Sequence, residues 1–315
     1  MDPAAPEAHP SADPAERVAL RDALGRVGVW SFALEAGTAD EEREALTEIE
    51  ALGFPAIWFP ESIASREAFA HAAWMLASTR RAIIATGIAN IWARDPYAMA
   101  NGWRMLSDAY PGRFVLGLGV SHEPSVARRG GRYERPLSHM RAYLESMDHS
   151  ASTAPEPAAP PRRMLAALGP RMLELAAERS LGAHPYFVPV EHTAFARARL
   201  GVDPVLAVEQ AVVLSTDASE ARRIARGYAA RYLALANYAS NLQRMGWTDA
   251  DIAGQGSDAL IDAVIAWGDE DAIASRIRRH HEAGADHVCV QVLTGDDADV
   301  GLDDLRALAP ALLER

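Results

Sequence analysis

Two side chains able to transfer protons stand directly after apolar segments predicted to be strands. Glu61 follows the segment Ala56–Phe59, and His122 follows the segment Phe114–Val120. Burying an acid at the end of an apolar strand costs free energy, which is tolerated where the acid has a partner or a function. Glu61 is therefore predicted to be either a functional acid or half of a salt bridge with an arginine. Because His122 titrates near neutrality, it is predicted to be a hydrogen-bond donor to a ligand, a general acid, or a loop histidine without a role.

A second group of residues has the composition of an anion site. Leu168 and Gly169 end a predicted strand, Pro170 opens the next helix, and Arg171 follows it. Free N–H groups at a helix start, together with a guanidinium group, bind phosphate groups. The alternative is an ordinary helix that begins with proline.

The glycines of the segment Phe114–Val120 resemble part of a dinucleotide-binding fingerprint. Gly117 and Gly119 have the spacing of its first two glycines, but the third glycine is missing and His122 stands where the helix should open. We therefore reject a Rossmann assignment. The glycines allow close packing of this strand, which is compatible with a cofactor lying on Gly119 and Ser121.

Missing residue types exclude several classes of chemistry. All 31 basic residues are arginines, so Schiff-base formation, covalent pyridoxal attachment and the Walker phosphate lysine are excluded. The single cysteine, Cys289, rules out an intramolecular disulfide and a cysteine-rich zinc site, and we expect no metal. It lies in an apolar run and is predicted to be buried packing rather than a nucleophile.

Charge and hydropathy limit the partners. The formal net charge of −12 argues against a nucleic-acid partner, because such binding depends on clustered positive charge. No run of about 18 apolar residues is present, so no membrane partner is expected. Residues 1–16 have neither the basic nor the apolar part of an export signal, which predicts a cytoplasmic protein with a disordered or irregular extension over residues 1–24.

Apolar, β-branched segments alternate with helical patterns along the rest of the chain. Eight segments are predicted to be strands: Arg26–Phe32, Ala56–Phe59, Ala82–Asn90, Phe114–Val120, Arg163–Leu168, Ala183–Val188, Val205–Leu214 and His287–Leu293. Near-continuous apolar strands joined by crossover helices indicate a parallel sheet, and eight such units favour an α/β fold with a closed (β/α)8 TIM barrel over residues 25–315. An open doubly wound sheet is the alternative.

Two stretches depart from this alternation. Residues 150–162 are rich in proline and alanine and are predicted to be a loop. The span from Ala218 to Ala266 is longer than one crossover helix needs, which predicts a helical insertion after strand 7 at the catalytic face.

Five motifs in order carry a resemblance to a known family. GVWSF, LGFPAIWFPES, ATGIANIWARDP, GRFVLGLGVSH and LGPRMLELAAERSLGAHPY make the chain similar to the luciferase-like monooxygenase superfamily over about residues 25–310, and to its coenzyme F420-dependent oxidoreductase branch. The resemblance implies a TIM barrel with a flavin or 5-deazaflavin at the strand carboxyl ends, hydride transfer at ring carbon five, and a homodimer. In such a site the protein places the cofactor and excludes side reactions.

The resemblance also implies roles for particular residues. Glu61 and His122 would be the catalytic pair, and the anion site would hold the phosphodiester of the cofactor tail. The bond between Gly87 and Ile88 occupies the place of a non-prolyl cis peptide behind the deazaflavin ring. The cofactor-binding residues are then predicted to be Ser31, Glu61, Gly87, Ile88, Asn90, Gly119, Ser121, His122, Gly169, Pro170, Arg171 and His184.

The sequence departs from the family pattern at one position. Ser62 stands where several deazaflavin dehydrogenases carry a catalytic histidine after the acid of the second strand. Sugar-phosphate dehydrogenation, which needs such a base, is therefore disfavoured, and reduction of an activated C=C or C=N bond of a small substrate is expected. An FMN-dependent monooxygenase and a cofactor-binding barrel without catalysis are the alternatives.

Overall fold

The computed structural model describes residues 13–313, and a parallel sheet forms its centre. The strands are β1 (Val27–Trp30), β2 (Ala56–Phe59), β3 (Ile83–Thr86), β4 (Ala89–Asn90), β5 (Phe114–Gly119), β6 (Arg162–Leu165), β7 (Gly182–Ala183), β8 (Val205–Leu214), β9 (Ala266–Gly268) and β10 (His287–Val292). The sheet closes because β10 pairs with β1 on one side and with β8 on the other. β4 pairs only with β5 and β9 only with β8, so the closed ring itself has eight strands. The (β/α)8 barrel is confirmed, and the open sheet is excluded.

Fourteen α-helices are described in residues 13–313, together with one 3-10 helix, Ala33–Glu35. The α-helices are α1 (Pro14–Leu24), α2 (Ala39–Ala51), α3 (Ala68–Ser78), α4 (Pro96–Ala109), α5 (Glu123–Arg128), α6 (Pro136–Asp148), α7 (Pro170–Arg179), α8 (Val190–Leu200), α9 (Ala218–Leu233), α10 (Ala236–Arg244), α11 (Asp249–Ile252), α12 (Asp258–Val264), α13 (Glu270–Glu282) and α14 (Leu302–Leu313). Many begin at an acidic or hydroxyl side chain that accepts a hydrogen bond from a first-turn amide, as Asp95 does for α4 and Asp217 for α9. None is long and apolar enough to span a membrane.

Two apolar layers hold the barrel together. The outer layer joins the helices to the sheet, whereas the lumen is filled by side chains that include Trp58, Met164 and Cys289. Cys289 is fully buried, its pKa is raised by burial, and it packs as predicted. The lumen is therefore a packed core below a mouth formed by the strand carboxyl ends.

The N-terminal boundary predicted from sequence is wrong. Residues 14–24 form α1 instead of an irregular extension, with Asp13 as its N-cap. Leu20 and Leu24 lie one helical turn apart, and both are completely buried against the lumen side chains. The barrel domain therefore begins at α1, while residues 1–12 of the predicted extension lie outside the described residues.

Most strand predictions agree with the structure, with three local differences. The third predicted strand is interrupted at Gly87 and Ile88, which separate β3 from β4. The sixth predicted strand, Ala183–Val188, is reduced to the two residues of β7 because the chain turns away at Phe187, whose φ is 55°. The short strand β9, which pairs with the end of β8, was not predicted.

Both irregular stretches lie where the sequence predicts them. No helix or strand occurs between α6 and β6, so the proline-rich stretch after residue 149 is a loop. The insertion after β8 contains α9, α10, α11 and α12, and its side chains reach over the barrel mouth.

A carboxylate on α2 holds the chain where it enters β3, and this contact yields a prediction about stability. Glu50 accepts hydrogen bonds from the amides of Arg80, Arg81 and Ala82 at 2.7–3.1 Å. Although burial acts to raise it, these amides hold the pKa of Glu50 below its ordinary value of 4.5. Glu50→Ala should lower the free energy of unfolding by about 1–2 kcal/mol at pH 7, measured by urea denaturation.

The pH dependence has a definite sign. Because the folded-state pKa is lowered, the stabilisation is present above pH 4.5 and is lost as the pH falls below that value. The variant should therefore converge on the wild type in acid. Glu44→Ala, at an exposed position of the same helix, is the control, and equal losses in both variants would contradict this assignment.

Candidate active site at the barrel mouth

A cavity of about 630 Å³ opens at the carboxyl ends of the strands, below the insertion. All the predicted site residues except Ser31 line it: Glu61, Gly87, Ile88, Asn90, Gly119, Ser121, His122, Gly169, Pro170, Arg171 and His184. The residues after β5 and the start of α7 therefore share one rim, as predicted. Phe32, Tyr232 and Tyr238 complete the wall opposite the barrel strands.

Ser31 lies in a different cavity. Its hydroxyl oxygen accepts a hydrogen bond from the amide of Ala33 at 3.1 Å, and it lines a second cavity of about 830 Å³ beside the first. Phe32 and Arg231 line both cavities and so form part of the wall between them. Ser31 therefore lines the second cavity and not the first, and its cofactor contact stays a prediction.

The interruption between β3 and β4 forms one wall of the first cavity. The peptide bond between Gly87 and Ile88 is cis, as the resemblance implied. Ile88 packs so closely on β5 that a Cβ atom on Gly119 would lie 2.5 Å from Ile88 Cδ1. Glycine at position 119 is therefore required for Ile88 to present an apolar surface to the cavity.

Glu61 is one half of a buried ion pair. Its Oε1 lies 2.5 Å from Arg94 Nη2, its Oε2 lies 3.0 Å from Arg94 Nη1, and Oε2 also accepts a hydrogen bond from the Asn90 amide at 2.7 Å. The side chain is only 5% exposed. Since both oxygens are occupied, the structure favours the salt-bridge interpretation over the catalytic one. Glu61 fixes β4 and the Arg94 loop against the cavity.

The neighbouring Ser62 has a local structural role. Its hydroxyl oxygen accepts hydrogen bonds from the amides of Ala64 and Ser65, at 3.2 and 3.0 Å. Ser62 therefore stabilises a turn at the cavity edge and does not supply the base found in related dehydrogenases.

His122 is held by a residue of the insertion. Its Nδ1 lies 3.1 Å from Asn237 Oδ1, which makes Nδ1 the protonated nitrogen and leaves the lone pair on Nε2. Burial lowers the pKa of His122, although the bond to Asn237 opposes this. The imidazole is therefore neutral at pH 7 with its lone pair at Nε2, and its function as a donor, a general acid or a loop histidine stays a prediction.

The start of α7 lies on the same cavity, with one arginine in its first turn and a second nearby on α10. Gly169 is its N-cap and no side chain caps it. Pro170 has no N–H, and the amides of Met172 and Leu173 donate to the Gly169 carbonyl oxygen at 3.1 Å, which leaves the Arg171 amide for a ligand. Arg171 lines the cavity, and Arg244 of α10 approaches so closely that its Nη2 lies 3.9 Å from the Cβ position of Gly169. This arrangement can bind an anionic group.

Two buried nitrogen atoms on the cavity side of the lumen lack partners. Trp30 Nε1 and His184 Nε2 make no hydrogen bond within residues 13–313, and both atoms face Gly87. His184 Nδ1 bonds to the carbonyl oxygen of Ala207 at 2.9 Å, and burial lowers the pKa of His184 to about 4. Both nitrogen atoms are therefore buried against Gly87, in the wall of the cavity.

Sequence reasoning missed the residues that the insertion contributes, namely Asn237, Arg244, Tyr232 and Tyr238. A signal was present, because Tyr228 and Tyr232 are one turn apart in an otherwise small and charged helix. The buried acid Glu209 was also missed, although it interrupts the apolar strand β8.

Comparisons with known proteins agree with the barrel fold. A protein of Mycobacterium tuberculosis provisionally named as a coenzyme F420-dependent oxidoreductase is 31% identical over 38% of this chain and 33% of its own length. The solved structure of a coenzyme F420-dependent tetrahydromethanopterin reductase from Methanopyrus kandleri superposes with a TM-score of 0.71, at 16% identity, over 91% of this chain and 99% of that one.

An FMN-containing structure has the same fold. The oxygenating component of 3,6-diketocamphane monooxygenase from Pseudomonas putida, in complex with FMN, gives a TM-score of 0.64 at 16% identity, covering 92% of this chain and 98% of that one. At family level, the luciferase-like monooxygenase model matches residues 23–287. This match spans most of the barrel, and the chain therefore belongs to the luciferase-like monooxygenase family.

Proposed function

We propose that this protein is a coenzyme F420-dependent oxidoreductase that transfers a hydride between the deazaflavin C5 and a small organic substrate, reducing an activated C=C or C=N bond. The observation that carries the proposal is the concentration of arginines at the cavity rim. Arg171 and Arg244 lie at the start of α7, and residues 128–135, which contribute Tyr133 to the cavity, contain four exposed arginines. In a chain of net charge −12, this rim suits a cofactor with a long anionic tail.

The cavity also fits the ring of such a cofactor. Trp30 and the neutral His184 line its wall beside Gly87. Ile88, which packs closely against Gly119, would support one face of the ring. When bound, the deazaflavin supplies two-electron hydride chemistry.

The residues of this chain then have distinct tasks. Arg171 holds the anionic tail with its guanidinium group and its amide, and the Glu61–Arg94 ion pair keeps β4 in place beside the ring site. His122 accepts a hydrogen bond at Nε2 and thereby orients the ligand. The tyrosines of the insertion cover the cavity and limit the access of water.

An FMN-dependent monooxygenase is the competing assignment, and binding without turnover is the third. The three assignments differ in which cofactor binds and in whether the bound cofactor is oxidised by a substrate, by oxygen, or not at all. The first prediction is that the purified protein binds coenzyme F420, seen as a change in deazaflavin fluorescence, at least tenfold more tightly than FMN. Reduced coenzyme should be oxidised when an activated alkene or an imine is added.

The outcomes separate the three assignments. Tighter binding of FMN, with oxygen consumption in the presence of a reductant, would support the monooxygenase. Fluorescence change without coenzyme oxidation on a broad panel of acceptors would support the non-catalytic barrel.

The second prediction concerns the tail. Arg171→Ala should weaken binding of the intact coenzyme by about 1.5–3 kcal/mol, because it removes a charge-assisted hydrogen bond to an anionic group. A deazaflavin that lacks the phosphate and the rest of the tail should bind equally to both proteins in equilibrium titrations. Arg278→Ala, on the exposed face of α13, is the matched control. Equal weakening of the intact and the truncated coenzyme would remove Arg171 from the tail site.

A further inference from the structure

We propose that Glu209, buried in the lumen beside the mouth, stores the proton that the reduction consumes, and that Tyr228, Tyr186 and Tyr232 conduct this proton to the substrate. The inference rests on the proposed function, because only a reductive reaction consumes a proton at this place. It assigns a task to a buried acid and a hydroxyl chain that cofactor binding does not explain.

The surroundings of Glu209 favour its protonated form. It lies on β8 at 1% exposure, its Oε2 accepts a hydrogen bond from the Phe187 amide at 2.9 Å, and its Oε1 has no hydrogen-bond partner within residues 13–313. Burial raises the pKa of Glu209 to about 8, against the opposing effects of the Phe187 amide and the nearby Tyr228 hydroxyl. The carboxyl group therefore carries a proton at pH 7.

No cation faces this carboxyl group in the described part of the chain. The titratable side chains around it come from four elements and are uncharged near neutrality: Tyr186 after β7, Tyr228 and Tyr232 on α9, Tyr238 on α10, and Cys289 on β10. A buried ionised acid without a counter-ion is costly, so Glu209 is poised to regain a proton after losing one.

A chain of hydroxyl groups leads from this acid to the first cavity. Tyr228 donates to the Tyr186 hydroxyl at 2.8 Å, and the hydroxyl groups of Tyr186 and Tyr232 are 3.0 Å apart. Tyr186 and Tyr232 line the first cavity, whereas Tyr228 and Gln291 line the second. The chain thus crosses the wall between the two cavities. At rest Gln291 Oε1 accepts from Tyr186 at 2.8 Å, so the Tyr186 O–H must turn toward Tyr232 before it can donate a proton along the chain.

The reaction needs a proton that the other site residues do not supply. Addition of a hydride to a C=C or C=N bond leaves a negative charge on the substrate, while His122 is neutral and Glu61 is held by Arg94. As a new C–H or N–H bond forms on the substrate, the O–H bond of Tyr232 breaks. Tyr186 turns its O–H from Gln291 to Tyr232 and gives Tyr232 a proton, Tyr186 takes one from Tyr228, and Tyr228, which lies beside the carboxyl group, takes one from Glu209, which becomes a carboxylate. A proton from solvent in the second cavity then returns through Tyr228.

A purely structural role for Glu209 is the alternative. Its bond to the Phe187 amide holds that residue at a φ of 55°, and Phe187 stacks on Tyr232 with ring centroids 5.0 Å apart. Glu209→Gln separates the two roles, because an amide oxygen can still accept from Phe187 but the side chain cannot release a proton.

The first experiment is an infrared pH titration of the cofactor-free protein. A carboxylic-acid C=O band should be present at pH 7, disappear as the pH rises through about 8, and be absent from Glu209→Gln. Tyr228→Phe should shift the band, because it removes a neighbouring hydroxyl group. Glu178→Gln, on the outer surface of α7, should leave it unchanged. Absence of the band, or a band insensitive to Tyr228→Phe, would overturn the proposal.

The second experiment measures turnover with reduced coenzyme and an acceptor. Glu209→Gln and Tyr232→Phe should lower kcat by about 100-fold and change the solvent isotope effect, with the coenzyme dissociation constant unchanged. Tyr110 lies at the C-terminal end of α4, away from the barrel mouth, and Tyr110→Phe should behave as the wild type. Wild-type rates and isotope effects in both relay variants would overturn the relay. If the wild type itself reduces no acceptor, the proposed function is wrong, and the proton store is decided by the infrared titration alone.

Discussion

The closure of the parallel sheet is the constraint on which the rest of this structure depends. β8 pairs with β10 over six residues, and β10 pairs with β1, so that the strand ring has no free edge at this point. Because all of these pairs are parallel, the carboxyl ends of the strands meet at one mouth. Glu61, Ile88, Gly119 and Arg171 come from four different strand-to-helix units, and barrel closure alone brings them to a single cavity.

The insertion after β8 divides this mouth into two open cavities. Asn237 orients His122, Arg244 joins the start of α7, and the tyrosines of α9 and α10 stand between the cavities. The barrel therefore supplies the surface on which a ring can lie, and the insertion supplies the polar groups above it. Barrels of this family can keep the first part and change the second, which is a physical route to new substrates on one scaffold.

Three of the buried polar atoms without partners in residues 13–313 lie close to this mouth. Trp30, His184 and Glu209 each have one such atom, and all three belong to strands or strand ends of the barrel. An unpaired buried polar group costs stability, so a ligand or a proton is needed to offset the loss. The lumen of this barrel therefore combines an apolar core, which stabilises the fold, with buried polar groups near the mouth, which lower its stability.

The sequence by itself determined the barrel, the order of its strands, the position of the insertion and most of the residues at the mouth. These follow from periodicity and from motifs a few residues long, which depend on neighbours along the chain. The helix α1 was missed because Leu20 and Leu24 are apolar only in a short, otherwise polar stretch, and their burial depends on lumen residues far away in sequence.

Only the tertiary structure decided the protonation and pairing of the site. Glu61 meets Arg94 across 33 positions, and His122 meets Asn237 across 115, so neither hydrogen bond can be read from local spacing. The same holds for Glu209, whose pKa is set by burial among tyrosines from separate helices. Hydrogen bonding and desolvation act over a few ångströms of space, and folding alone determines which residues come within that distance.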